Sequence, residues 1–597
     1  MKRMSKKPEP ERHLPTRMQA LVFLFKSSLL KIRRALIDLR NPISSQKIGQ
    51  TLVDAPVAGD ARSDLWTHAS MEEFPLTAGK VQNLRVACAA LHGLEFPANA
   101  VFSFWKQMGR VTRRKGYVSG RELREGCLVA TTGGGLCQLS NLLYSAALDA
   151  GFEIVERHPH SRLIPGSQAE QDRDATVFWN YVDLRFRAPY AYRLEATLTA
   201  DQLSVRFRAA RKEAASGPAL GPSDAESESN PTRSNVSGDC HTCGEISCFR
   251  HPSTVSDDQP ATGHTGFLLD EYWPEFQEWC ENHNQPNDRW FLPLDGERWK
   301  KPNYAWSVPD RASVRYATLQ TLRHSLRSRR LPAQGAVRQR ALLLREENLA
   351  AHYAAGLDPK ARHLIVSQNL LPHLWKNGHL AGRTFDVLMT RWPIVELQRL
   401  LDTAAHHDPL SSTLTDFRAE PEHVRAETEA LSAAARVVTP HRAIAGHFGA
   451  KAILLEWVLP MPEESLPERH PNQLYFPASP LGRKGIFELA EALRGFDGEL
   501  LVLGRAREEG ADPLASVSHR PGLPSQLLSC AAVVLPAWVE HQPRLALRAL
   551  ANGVPVVASS GCGLPDHPQL FEIERPAAGA LQKALSEVLT QSRSLVS

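Results

Sequence analysis

At 597 residues the chain is too long for a single hydrophobic core and is expected to divide into three or four domains. Its hydrophobic and charged fractions, 42% and 23%, are ordinary for a soluble globular protein, so large buried cores are available. The net charge of +5 is a local effect: residues 1–40 carry eleven Lys/Arg against three Asp/Glu, and the remainder sums to −3, which argues against a nucleic-acid-binding body.

The basic arm, residues 1–44, comes first. No run of eighteen apolar residues is present, so no transmembrane helix is predicted. ALVFLF (Ala20–Phe25) is too short for a secretory core, and no A-x-A cleavage site follows it. Its continuation to Arg40 is amphipathic: Leu21, Phe25, Leu29, Ile32, Leu36 and Leu39 share one helical face, beside Lys26, Arg33 and Arg40. Such a helix suits an anionic inner leaflet, while the plainer alternative is a helix docked on the next domain. Nine cysteines, an odd count without a disulfide-framework spacing, point to a reducing cytosol.

Residues 45–210 mix helix and strand. Val81–Leu91 and Leu139–Ala150 read as helices, with Gly151 as a C-cap before a strand at Phe152–Arg157. Asp174–Phe178, Asp183–Arg187, Arg193–Leu198 and Leu203–Phe207 read as short strands, giving an α+β domain.

Between them lies TTGGGLCQLSNLLYSAA (residues 131–147). Glycines 133–135 permit positive φ and close backbone approach, and a helix begins beside Cys137. The positive helix end lowers a thiol pKa there, and a nucleophilic thiolate would require a histidine base and an orienting carboxylate. His158, His160, Asp174 and Asp183 follow in that order; the alternative is a small buried cysteine in a tight helix-entry turn. GGGLCQLSNLLYSAAL, GFEIVERHPHS, DATV and DLRF, with PANAVFSFWKQMGRVTRRKGY upstream, resemble the VanW domain of vancomycin-resistance accessory proteins over about residues 75–207. Ala98 and Asn99 stand where that family's motif has proline and glycine. The resemblance implies a link to the bacterial envelope, and Cys137, Gln138, His160 and Asp174 are the positions an active site would carry over.

Residues 211–263 form a flexible linker rich in Ser, Pro, Gly and Glu. Within it, DCHTCGEISCFRH (239–251) spaces Cys240, Cys243, Cys248 and His251 as C-x2-C-x4-C-x2-H, which suits a tetrahedral zinc ion. Part of an iron–sulfur cluster, or incidental cysteines in a linker, are the alternatives.

The C-terminal half alternates strand and helix, with strands at Leu364–Val366, Phe385–Met389, Val437–Thr439, Leu500–Leu503 and Val533–Leu535. That alternation predicts two doubly wound parallel sheets, over 264–465 and 466–597. Arg483 and Lys484 lie where a strand hands over to a helix, a place suited to a diphosphate, or merely a solvated basic turn. With PAWVEHQPRLALRALANGVPVVAS, this half resembles family-four GT-B glycosyltransferases, whose patterns run G-R-L-x-x-x-K-G and E-G-F-G-x-x-x-x-E. The resemblance puts Lys484 and Gly485 at the donor phosphates, with neighbouring Arg483 as a candidate substitute for the family's arginine, and Glu540 at the donor sugar, with a nucleotide sugar as cosubstrate. Two positions depart: Arg548 replaces the second glutamate, and Ser479 replaces the arginine before the lysine. A guanidinium accepts no hydrogen bond from ribose hydroxyls.

The expected protein is therefore a cytoplasmic envelope-biosynthesis protein, on the inner face of the membrane or near it. It joins a VanW-like α+β domain to an α/β GT-B module with two Rossmann-like sheets, acting on an envelope glycan or lipid and not on nucleic acid. The competing readings are a non-catalytic binder of envelope precursors and a cysteine hydrolase or acyltransferase centred on Cys137.

Overall fold

The computed structural model describes residues 17–40, 43–66, 74–124, 127–159, 172–179, 181–210, 263–332, 335–510 and 512–594. Two compact units make up the chain. The first runs from Met1 to Gly263 with the short returns Asp358–Arg362 and Asn377–Arg383; the second holds His264–Leu357, His363–Lys376 and Thr384–Ser597.

The first unit opens with helix α1 (Arg17–Arg40). Its polar side is tied down: Arg34 donates to Glu156, and Arg185 pairs with Asp38 at 2.7 Å. All six residues of the predicted apolar face, Leu21 through Leu39, are more than half exposed. Strands β1 (Val57–Asp64), β2 (Leu94–Phe96), β8 (Tyr192–Leu198) and β9 (Gln202–Arg208) make an antiparallel sheet in the order β1-β9-β8-β2. A second antiparallel sheet orders β3 (Val101–Ser103), β7 (Arg185–Arg187) and β6 (Glu153–Glu156), and β4 (Ser119–Arg124) pairs with β5 (Cys127–Thr132) as a hairpin. Helices α2 (Phe74–Leu91), α3 (Phe104–Met108) and α4 (Leu136–Asp149) complete the unit. Phe96, Phe102, Phe152, Phe186, Tyr192 and Phe207 stack together in its core.

One expected strand is absent. Asp174–Phe178 joins no ladder beyond a bridge from Phe178 to Val182. Helix side chains take its backbone groups instead: Ala175 N–H donates to Asn141 Oδ1 at 2.8 Å, and Ser140 Oγ donates to Ala175 O at 2.6 Å. The segment is thus pinned along α4 by polar side chains.

The second unit carries both predicted sheets. The first orders β12 (Val314–Tyr316), β11 (Arg289–Leu292), β10 (His264–Leu268), β13 (Ala361–Ser367), β14 (Thr384–Leu388), β15 (Arg436–Thr439) and β16 (Ala452–Leu454). The other orders β19 (His519–Pro521), β18 (Glu499–Val502), β17 (His470–Phe476), β20 (Cys530–Leu535), β21 (Val556–Ser559) and β22 (Leu570–Ile573). Ladders β14–β15, β15–β16, β17–β18, β17–β20 and β20–β21 are parallel, as strands buried on both faces and fed by crossover helices must be. The predicted helix after Lys484 is Ile486–Ala492, and it buries Ile486, Leu489 and Ala490. This twin-sheet α/β arrangement is GT-B-like. Among the described residues, no helix is long and apolar enough to cross a membrane.

Candidate functional site

In the second sheet the chain order reverses between β17 and β20. Open parallel sheets bind ligands outside the carboxyl ends of strands at such a reversal, because the two loops there diverge and leave a crevice. Phe476 ends β17 and Leu535 ends β20, and the loops beyond them carry Ser479–Gly485 and Ala537–Glu540. Lys484 Nζ donates to Glu540 Oε2 at 2.8 Å and to Val539 O at 3.2 Å. Glu540 Oε1 accepts the N–H groups of His541 and Gln542 at 2.9 and 3.0 Å. Burial acts to raise the Glu540 carboxyl, but the charge and hydrogen bond of Lys484 and the Gln542 amide outweigh it and hold it down at about 2.

Gly485 shapes this loop. Its φ of 73° lies in the left-handed region, and a Cβ there would sit 1.8 Å from Pro536 O. Only glycine brings the lysine loop this close to the end of β20.

Two histidines that no sequence pattern singles out join the pair. His541 is the residue after Glu540, where the glycosyltransferase pattern has glycine. Burial, and then the charge of Lys484, press its imidazole down to about 3, and its Nε2 has no hydrogen-bond partner among the described residues. His441 arrives from the end of β15: Nε2 lies 3.2 Å from Glu540 O and 3.3 Å from Gly561 O, while Nδ1 accepts Ile444 N–H at 3.3 Å. That network fixes a neutral ring protonated at Nε2, in keeping with burial lowering it to about 4. The only advance signal for either is position, one in TPHR beside a strand end and one in VEHQ.

The departures from the glycosyltransferase pattern are structural facts too. Ser479 Oγ accepts Ala506 N–H at 3.3 Å, and a Cβ on Gly504 would meet that oxygen at 2.2 Å, so Gly504 packs directly against the serine. Arg548 donates to the Glu463 carboxylate, and Asn552 Nδ2 donates to the Arg548 carbonyl at 2.8 Å. Arg483 takes Val539 N–H on its carbonyl at 3.3 Å, and its charge acts on the Asp416 carboxyl, which burial raises.

In the first unit, Gly135 (φ 100°) caps α4 and Cys137 sits in its first turn. Cys137 Sγ lies 3.7 Å from Thr176 Oγ1 and 4.0 Å from Val177 O. The Asp174 carboxylate accepts Arg157 Nη2 at 3.0 Å, and Arg157 Nε donates to the Asp174 carbonyl at 2.8 Å. Asp174 is thus engaged by Arg157, and Cys137 by the segment that carries Thr176 and Val177. Gln138 Nε2 donates to Ser63 Oγ and Asp64 O, fastening α4 to the end of β1. His160 lies outside the described residues, as do Cys240, Cys243, Cys248 and His251 of the cysteine-rich island. Among the described residues, no group of three His, Cys, Asp or Glu side chains is placed to hold a metal ion.

Two motifs of the VanW resemblance meet in space. Asp183 of DLRF accepts Ser103 Oγ at 2.6 Å and Trp105 N–H at 3.2 Å, capping α3 at the F-S-F motif. Asn99, where the family has glycine, adopts a φ of 63°, a left-handed conformation that asparagine tolerates better than most residues.

Residues 79–208 match the family described as VanW like protein, so this stretch is a VanW domain. Over 153 residues the chain is 35% identical to the uncharacterized protein YoaR of Bacillus subtilis (strain 168), covering 26% of this chain and 44% of that one. Over 126 residues it is 31% identical to the vancomycin B-type resistance protein VanW of Enterococcus faecalis, covering 21% and 46%. The chain thus spans less than half the length of these curated relatives. Solved structures similar to it include a sucrose-phosphate synthase from Thermosynechococcus elongatus, at 13% identity and a TM-score of 0.35, covering 56% of this chain and 91% of that one. Another is HepE of Anabaena in complex with UDP and glucose, at 14% identity and a TM-score of 0.32, covering 55% and 91%.

Proposed function

We propose that the second unit transfers a sugar from a nucleotide sugar to an envelope glycan or lipid acceptor. The observation that carries this reading is the half-buried Lys484–Glu540 pair at the reversal of the second sheet, 2.8 Å apart. An ammonium there neutralises charge developing on a leaving diphosphate, and a carboxylate beside it orients sugar hydroxyls. A donor phosphate must compete with Glu540 for Lys484, so donor binding and separation of the pair are coupled. Calorimetry with common uridine, guanosine, thymidine and cytidine diphosphate sugars tests it. Binding that is lost in Lys484→Ala supports the reading, and no binding to any donor overturns it.

Arg548 favours a second reading, a binder of envelope precursors without turnover. Its engagement with Glu463 leaves no carboxylate at this helix position to receive ribose hydroxyls. A donor that binds and is neither hydrolysed nor consumed with envelope-derived acceptors supports this alternative.

The exposed apolar face of α1, fixed to the first unit through Arg34 and Asp38, supports docking on an anionic membrane from the cytoplasmic side. Flotation with anionic vesicles should lose the protein when Phe25 and Leu29 are both changed to Glu; unchanged flotation rejects this. For residues 239–251 the zinc reading rests on ligand spacing, and metal analysis of the purified protein checks it.

A further inference from the structure

Residues 318–345 carry seven arginines and neither Asp nor Glu. In the second unit this stretch makes the helix Thr318–Ser328 and the start of the helix Ala336–Gly356, and the two enclose a cavity of about 240 Å³. Gln320, Arg323, His324 and Arg327 line it from the first helix, at the i, i+3, i+4, i+7 spacing of one face. Leu344, Arg345 and Asn348 line it from the second, and Leu344 is 53% exposed, so the cavity opens to the surface there. Pockets that enclose drug-sized ligands run to roughly 300–1,000 Å³, so this one fits a head group rather than a whole substrate.

Most of the charge around this cavity has no counter-charge. Arg345 is engaged: its Nη2 donates to Tyr304 Oη at 2.6 Å, and Glu271 lies 3.5 Å from its Nη1. The Arg323 and Arg327 side chains, four residues apart where like charges repel, have no hydrogen-bond or ion-pair partner among the described residues. The helix C-terminus favours Arg327, which lies in the last turn, but not Arg323, a turn earlier. Between them, burial and then the charges of Arg345, Arg338 and Arg327 push the His324 imidazole below its ordinary value. Apolar side chains flank these cations: Leu319, Leu326 and Val337 on the same helices are, like Leu344, more than half exposed. No carboxylate lines the cavity, Gln320 is turned to His352 at 3.0 Å and Asn348 to Leu344 O at 2.6 Å, so nothing in it selects the hydroxyls of a sugar. Guanidinium forks beside exposed leucines suit a phosphate that carries hydrocarbon chains.

We propose that this cavity binds the phosphate head of an anionic phospholipid, held by Arg323 and Arg327, with the acyl chains against Leu331 and Leu344, which line the same cavity. The site shares no lining residue with the Lys484–Glu540 pair and does not rest on glycosyl transfer or on the helix Arg17–Arg40. It also accounts for a helix face on which two arginines are placed side by side without an acid to separate them.

The test is calorimetry on the full-length protein with dihexanoylphosphatidic acid below its micelle concentration, where no membrane surface is present. It should bind about tenfold more tightly than glycerol 3-phosphate, a head without chains, and than dihexanoylphosphatidylcholine, whose head is neutral overall. Arg323→Gln with Arg327→Gln should lose about tenfold in affinity. Arg329→Gln with Arg330→Gln, which removes the same charge from exposed arginines outside the cavity lining, should keep the wild-type value. Equal losses in the two double variants would mean diffuse attraction and overturn the site. Equal affinity for either comparison compound, or no binding of the lipid, overturns it as well. A second measurement guards against misfolding: because Arg323 and Arg327 hold no partner, their double variant should melt at the wild-type temperature, and the rise that the lipid gives the wild type should be missing from it. A variant that melts lower without lipid would make the two arginines structural, which also overturns the proposal.

Discussion

Two lysines in this molecule sit against a left-handed glycine at the start of a helix, and their electrostatic settings are opposite. Lys484 precedes Gly485 (φ 73°) and meets Glu540 at 2.8 Å; Lys80 crosses Gly135 (φ 100°) and meets the charge of Arg121. The glycine does the same thing in both places, admitting a second chain segment to van der Waals distance. The neighbouring charge makes the difference. In the sheet site the protein supplies the counter-ion, and a ligand must displace it. At Lys80 burial and then the charge of Arg121 act the other way and press the ammonium down to about 7.

The largest expected effect breaks the compensated side. Glu540→Ala leaves the Lys484 ammonium, whose side chain is 17% exposed, without its carboxylate. Removing one partner of this half-buried, charge-assisted pair costs ~3 kcal/mol, read as a lowered denaturant midpoint at pH 7. The acid side supplies a second readout. Glu540 is held at about 2, below its unfolded value, so its stabilisation is complete above the ordinary carboxylate range and is lost as pH falls towards 2. His541, held at about 3, binds its proton in the unfolded chain first, so the native state also loses stability as pH falls from the ordinary histidine range to about 3. The wild type should weaken steadily below about pH 6.5, and Glu540→Ala should flatten the lower part of that slope.

The next effect has the opposite sign. Lys80→Met removes a cation that burial and the Arg121 charge disfavour, and should stabilise the protein by ~3 kcal/mol at pH 6. Because the folded value, about 7, lies below the ordinary lysine value, the penalty in the wild type is fully present below pH 7. It fades as pH climbs towards about 10.4, and the gap between variant and wild type should narrow along with it. A destabilised Lys80→Met at pH 6 would mean that the two lysines are electrostatically alike.

Gly485→Ala comes third and isolates the shared backbone device. The added methyl meets Pro536 O at 1.8 Å in a left-handed conformation, so the lysine loop must shift. A loss of ~2 kcal/mol is expected, with donor affinity falling further than stability alone explains. Equal affinity in variant and wild type would separate the glycine from the donor site.

Much of this contrast is legible in the sequence, and what is not has physical reasons. Hydrophobic periodicity locates the helices around Cys137 and after Lys484, and β–α alternation locates both parallel sheets. Asp174–Phe178 alternates like a strand, yet Ser140 and Asn141 claim its backbone, a non-local choice that no pattern within the segment records. Lys484 and Glu540 stand out because a family pattern marks both. Lys80 does not, because a lysine in AGKVQN reads as the solvent face of a helix, and its burial comes from a hairpin some forty residues later closing over Gly79. His541 is equally silent, because a polar residue after a glutamate in a loop carries no periodic signal, although it replaces the glycine of the glycosyltransferase pattern.

Arg548 offers the smallest and sharpest variation on the compensated site. Its pair with Glu463 is partly exposed, 32% and 42% at the two side chains, so Arg548→Gln should change stability by no more than ~0.5 kcal/mol. That near-neutrality makes donor affinity readable without a folding artefact. If the arginine only ties the helix Arg544–Ala551 to the segment at Glu463, affinity for nucleotide sugars stays at the wild-type value while Lys484→Ala abolishes it. If affinity changes several-fold, the guanidinium lies within reach of the nucleotide, and the departure from the glutamate pattern alters donor contacts rather than removing them. In either outcome the charge partner, and not the glycine-shaped turn, decides what the helix start recognises.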